Sequence, residues 1–181
     1  MKTAAPGSER SEDARQIARR ELLPAGLALG IGLGGLLDGI LFHQIFQLHG
    51  MLTAKLPPTT LENLQHNMYW DGIFSLVTWA VTAVGVALLW RASRCMDLFA
   101  HGGSLAGSAL VGWGLFNLVE GVIDHHLLDL HHLVERLGVS VWDWLFLASG
   151  LVLIGIGTAM LRADLRSTRP RRPLGEPQPE H

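Results

Sequence analysis

Two stretches of this 181-residue chain carry acids and histidines in the same order. The first runs Asp38-Gly39-Ile40-Leu41-Phe42-His43-Gln44-Ile45-Phe46-Gln47-Leu48-His49. The second runs Glu120-Gly121-Val122-Ile123-Asp124-His125-His126-Leu127-Leu128-Asp129-Leu130-His131, with His132 following. The acid, the glycine, both histidines and the aliphatic positions coincide without a gap. A second match follows each copy: Trp70-Asp71-Gly72-Ile73-Phe74 and Trp142-Asp143-Trp144-Leu145-Phe146. Imidazoles beside carboxylates are transition-metal ligands. Imidazole suits Cu, Zn and Fe, and carboxylates alongside favour Zn or Fe. The candidate ligands are His43, His49, Asp124, His125, His126, His131 and His132. Asp38, Asp71, Asn117, Glu120 and Asp143 are candidates for orienting those ligands or relaying protons.

Rise along a helix limits which of these can meet. Glu120 and His131 are eleven positions apart, about 16 Å on a straight helix, so they cannot hold one ion unless the helix breaks. A single level would supply His43, His125 or His126, and Asp124 or Asp71. Asp38 would face Glu120 in a deeper layer, while His49, His131 and His132 would ring the mouth. The plainer reading makes His43, His49, His131 and His132 interfacial anchors, with Asp71 and Asp143 helix-start charges that complement the dipole. Asn117 suits an interhelical hydrogen bond, and His66 and Asn67 suit a helix cap. Haem held by His43 and His125 is chemically feasible but ranks below a bare ion, because carboxylates crowd the pair. Neither Ser75 nor Ser104 has a histidine close in its own helix, so nucleophilic catalysis lacks support. Cys95, the single cysteine, excludes an internal disulfide and reads as inert.

Four apolar stretches must position these residues, at about 22–48, 70–90, 104–123 and 141–161. Each approaches or exceeds the ~20 residues that cross a bilayer core. Charged residues make up 17% of the chain, below the roughly 25% of soluble domains. Mean hydropathy is +0.29 although both ends are polar. The expected fold is all-α, a four-helix transmembrane bundle. Two spans separate the two motifs, so both copies enter the membrane from the same side. That makes them two parallel helix-hairpin repeats about an axis along the membrane normal. Glycines crowd the first and fourth spans, where small residues let helices approach closely.

Residues 1–21 form a polar tail, and 167–181, rich in Pro and charge, form a disordered one. Arginines cluster in both tails and in the second loop (Arg91, Arg94), while the first and third loops hold only Lys55 and Arg136. The positive-inside rule then puts both termini in the cytoplasm of a bacterial inner membrane. The net charge of −2 argues against nucleic acid as a partner.

The pattern Asp38-Gly39-x-x-x-His43, with Asn117-x-x-Glu120-Gly121 and the His125-His126 pair, resembles a bacterial family of predicted membrane proteins, domain of unknown function 2243. The resemblance spans about Leu27 to Leu161. It implies a multi-pass protein in a lipid bilayer and supplies no activity. Two functions stay open beside a purely structural membrane role. One is metal binding, in metal handling for a respiratory or other membrane complex or in metal-dependent redox chemistry. The other is proton or small-solute translocation through Asp38 and Glu120; four helices are few for a transporter, so it expects a homodimer.

Overall fold

The computed structural model describes residues 6–94 and 101–167, with side chains for 20–94 and 101–164. Cys95 and the tail beyond Ser167 lie outside the described residues. All regular structure among the described residues is helical. Helix α1 spans Pro6–Asp38, α2 Leu61–Ser93, α3 Gly102–Glu120 and α4 Val141–Ser167. Four segments are long and apolar enough to cross a membrane: Arg20–Ile45, Leu61–Ser93, Gly102–Leu127 and Val141–Asp164. The second starts well before Trp70, because Thr60 caps α2 by accepting the Asn63 amide at 3.2 Å.

The helices pack in the order α2–α1–α3–α4. The inner pair, α1 and α3, is much more buried than the flanking α2 and α4. Leu76, Trp79 and Val86 on α2 and Leu151, Val152 and Ile156 on α4 turn outward, an apolar surface that suits lipid. Small residues set the crossings. A side chain at Gly112 would collide with the Leu27 carbonyl of α1, and Gly107 and Gly157 meet face to face between α3 and α4.

At one end of the bundle both inner helices change character. After Asp38 the chain widens into a π-helical segment, Gly39–Ile45, and after Glu120 into another, Gly121–Leu127. The Phe46 amide donates to the Leu41 carbonyl and the Leu128 amide to that of Ile123, both at 2.8 Å. Next comes a reversal through a non-glycine residue of positive φ: Gln47 (49°) in one case, Asp129 (51°) in the other. Such residues cost about 1–2 kcal/mol, and π turns concentrate at functional sites. The two connections then clasp each other. The Ala54 amide donates to the Leu130 carbonyl at 3.0 Å, and the Glu135 amide to that of Leu48 at 3.1 Å. Asn67, buried in α2, ties the first connection down rather than capping the helix. Its amide nitrogen donates to the Leu56 carbonyl, and its Oδ1 accepts from the Leu52 amide, each at 2.9 Å.

Candidate metal centre

The reversals at Gln47 and Asp129 fold the second histidine of each motif back under the end of its own helix. His49 and His131 therefore leave the mouth and join His43 and His125 in the interior, all four buried. The His49 and His131 rings stack at 4.5 Å with an interplanar angle of 8°. His43 lies 4.5 Å from His49, and His125 lies 4.8 Å from His131. The helix does break below Glu120, so the long axial separation from His131 disappears. Glu120 Oε1 is 3.6 Å from His131 Nε2.

Three of the imidazoles are hydrogen-bonded from behind at Nδ1, and the fourth has a carboxylate there. His43 contacts Asp71 Oδ1 at 2.9 Å. His125 Nδ1 lies 3.0 Å from Asp143 Oδ1, close enough for the carboxylate to orient the ring, though off the ideal N–H line. His49 meets the Leu133 carbonyl at 3.0 Å, and His131 the Met51 carbonyl at 3.3 Å. Each half thus orients a histidine of the other. A carbonyl only accepts, so His49 and His131 carry their proton on Nδ1, and a neutral ring leaves the Nε2 lone pair free. Both residues follow the spanning segments in sequence, and both rings stay neutral. Burial, reinforced by His43, pushes the His49 pKa down to about 4, and burial beside His49 lowers that of His131 well below its usual value.

The inward side is unsatisfied. Nε2 of His43, His49, His125 and His131 and both oxygens of Asp38 and Glu120 are buried without a hydrogen-bond partner in the protein. An unmet buried polar atom costs about 1–3 kcal/mol. Among the described residues, every such side-chain atom belongs to this cluster or to the neighbouring His126 and His132. Three overlapping triples place one donor atom each within 4.8 Å of the others: His43, His49 and His131; Glu120, His125 and His131; Asp38, His43 and Glu120. Those are ligand types and spacings that a metal ion can draw together. His43 Nε2 is 3.2 Å from Asp38 Oδ2.

The remaining candidates stand outside the triples. His126 bonds the Gly121 carbonyl through Nδ1 at 2.6 Å and leans on Trp144. His132 lies at the rim, 3.2 Å from Asp129 and 4.0 Å from Asp143. Asp124 is half-buried and acts on Asp38 and Glu120 only through its charge. Asn117 donates to Ser149 Oγ at 2.9 Å, joining α3 to α4. Asp71 and Asp143 anchor loops as well as rings. Asp71 accepts the Met51 amide at 2.7 Å, while Asp143 accepts those of Leu133 at 2.9 Å and Ser140 at 2.8 Å.

Phe74 and Phe146, which sequence reasoning passed over, stack on His43 at 5.5 Å and on His125 at 5.3 Å. The signal was present: each follows its aspartate by three positions, on the same helix face. A cleft of about 790 Å³ opens beside the cluster, lined by His43, Gln44, His49, Asn67, Met68 and Asp71 among others.

A family described as Predicted membrane protein (DUF2243) matches residues 25–164. No curated protein and no solved structure matches the chain.

Proposed function

The chain belongs to this DUF2243 family of predicted membrane proteins, and we propose that within the membrane it is a transition-metal-binding protein. Its centre is His43, His49, His125 and His131 with Asp38 and Glu120. One observation carries the reading: His43, His49 and His131 are hydrogen-bonded at Nδ1, Asp143 stands 3.0 Å behind that of His125, and the four Nε2 atoms and the carboxylates of Asp38 and Glu120 are buried together without a hydrogen bond. Backing of the second ring nitrogen by a carboxylate or carbonyl is how metal-bound histidines are fixed in tautomer and orientation. Cu, Zn and Fe all accept this donor set, and the two carboxylates favour Zn or Fe. Rings 4.5 Å apart, with Phe74 and Phe146 against two of them, favour a bare ion over haem.

The wider placement belongs to the same proposal. The centre lies in the extracytoplasmic half of a bacterial inner membrane with both termini cytoplasmic, as the arginine distribution supports. The chain consists of two parallel hairpin repeats, supported by matching π segments, matching positive-φ residues and reciprocal histidine–carbonyl contacts. Metal handling for a respiratory or other membrane complex, or metal-dependent redox chemistry, fits such a centre.

The test is elemental analysis of protein purified without a histidine tag. Wild type retains Cu, Zn or Fe, and the double variant His43→Ala/His125→Ala loses it while keeping its helical circular dichroism. Metal-free wild type of intact helicity that takes up none of these ions would overturn the reading. The facing pair Asp38 and Glu120 would then become the start of a path for protons or small solutes.

A further inference from the structure

We propose that the centre holds two metal ions rather than one, with the Glu120 carboxylate shared between them. The inference rests on the metal-binding reading above and deepens it. No single point collects the six donors. They fall into triples, and His125 shares a triple with neither His43 nor Asp38. One ion seated on Asp38, His43 and Glu120 leaves the Nε2 atoms of His125 and His131 buried and unmet. One ion on Glu120, His125 and His131 strands Asp38 and His43 in the same way. Two ions, one on each of these triples, engage all five residues. Glu120 is common to both, and both of its oxygens are buried without a hydrogen-bond donor. His49, which shares the third triple with His43 and His131, completes the coordination of either ion.

The surrounding contacts point the same way. Asp38 lies 3.2 Å from His43 Nε2 and Glu120 lies 3.6 Å from His131 Nε2, while Asp71 and Asp143 stand behind His43 and His125. Each arm contributes one acid, one histidine from its π segment and one backing aspartate, so neither half is the better provided. Ions sharing a carboxylate would lie about 3.5–4 Å apart, the separation at which two metals clamp one oxygen ligand between them. The cleft reaches the edges of His43 and His49, which gives a small oxygen-donor ligand a route to that position.

The experiment strips full-length protein in detergent with a chelator and titrates it with Zn²⁺ by calorimetry and, separately, with Cu²⁺ by electron paramagnetic resonance. Two equivalents per chain are expected. The Cu²⁺ signal should grow to one equivalent and then fall toward silence as the second, coupled ion enters. Glu120→Gln should weaken the second equivalent at least tenfold, while His49→Ala keeps both with reduced affinity. A single equivalent in the wild type, or two with undiminished isolated-ion signals, overturns the shared pair and leaves metal binding standing. No uptake of either ion overturns both. The wild-type titrations decide the matter even if the Gln variant misfolds.

Discussion

Asp71 and Asp143 sit at matching places in the two hairpins, one behind His43 and the other behind His125, yet their surroundings differ. Asp143 is wholly buried and takes hydrogen bonds from Leu133, from the Ser140 amide and from the Ser140 hydroxyl. Asp71 is 18% exposed and takes one backbone amide, that of Met51. The cleft follows the same asymmetry: its lining includes His43, His49 and Asp71 but neither His125 nor Asp143. Two arms with the same donors therefore have different duties. The Asp143 arm is a fixed wall that sets the geometry. The Asp71 arm is the side on which the centre can be approached.

The largest effect that would break this contrast comes from removing the two aspartates. Asp143→Ala strands two backbone amides, each worth about 1–3 kcal/mol, and removes the buried carboxylate behind His125, so a loss of about 4 kcal/mol is expected. Asp71→Ala should cost about half as much, since Asp71 holds a single backbone amide and is itself partly exposed. Unfolding titrations in mixed detergent micelles measure both, and equal losses would erase the distinction.

Acid comes next. His49 is held neutral with its pKa near 4, against about 6.5 in an unfolded chain. The metal-free protein should have its full stability above pH 6.5. Between pH 6.5 and about 4 the unfolded chain takes up a proton that the native ring refuses, so stability falls on acidification, by up to about 3 kcal/mol for this residue. His131, also lowered well below its usual value by burial, adds to the same slope from the other arm. Melting temperatures across this window should flatten in His49→Phe; an unchanged slope would mean that the ring is not buried as described.

The smallest effect sharpens the comparison. Gln47→Gly relieves a positive φ and should stabilise by about 0.5–1 kcal/mol. Asp129→Gly relieves the same strain but removes contacts with Lys55 at 3.1 Å and His132 at 3.2 Å. The exposed Lys55 pair is worth about 0–1 kcal/mol and the contact with buried His132 adds to it, so no net gain is expected. A clear gain at both positions would show the Asp129 contacts to be idle.

Much of the fold was legible because lipid writes plainly: four apolar runs, glycines at close crossings, and acids that would be intolerable facing acyl chains. The recurrence of acids and histidines in the same order was legible, and residues of both stretches lie together at one end of the bundle. The meeting of all four histidines was not. Projecting positions at helical pitch placed His49 and His131 at the mouth, since π widening after Asp38 and Glu120 leaves no clear mark in the sequence. Neither Gln47 nor Asp129 is a glycine, which would have flagged a left-handed reversal. The backing groups of His49 and His131 are main-chain carbonyls, to which side-chain identity is blind. Asn117, suited by type to an interhelical hydrogen bond, makes one to Ser149 on α4.

The reciprocal contacts of His49 with Leu133 and of His131 with Met51 have a consequence for biosynthesis. A ribosome that has delivered only α1 and α2 has made a half whose His49 lacks its Leu133 acceptor and whose Asp38 has not yet met Glu120. That half must wait, polar atoms unmet, until the last two helices arrive. The order of synthesis thus makes the later hairpin the mould in which the earlier one sets, and a chain truncated after α2 is a natural substrate for membrane quality control.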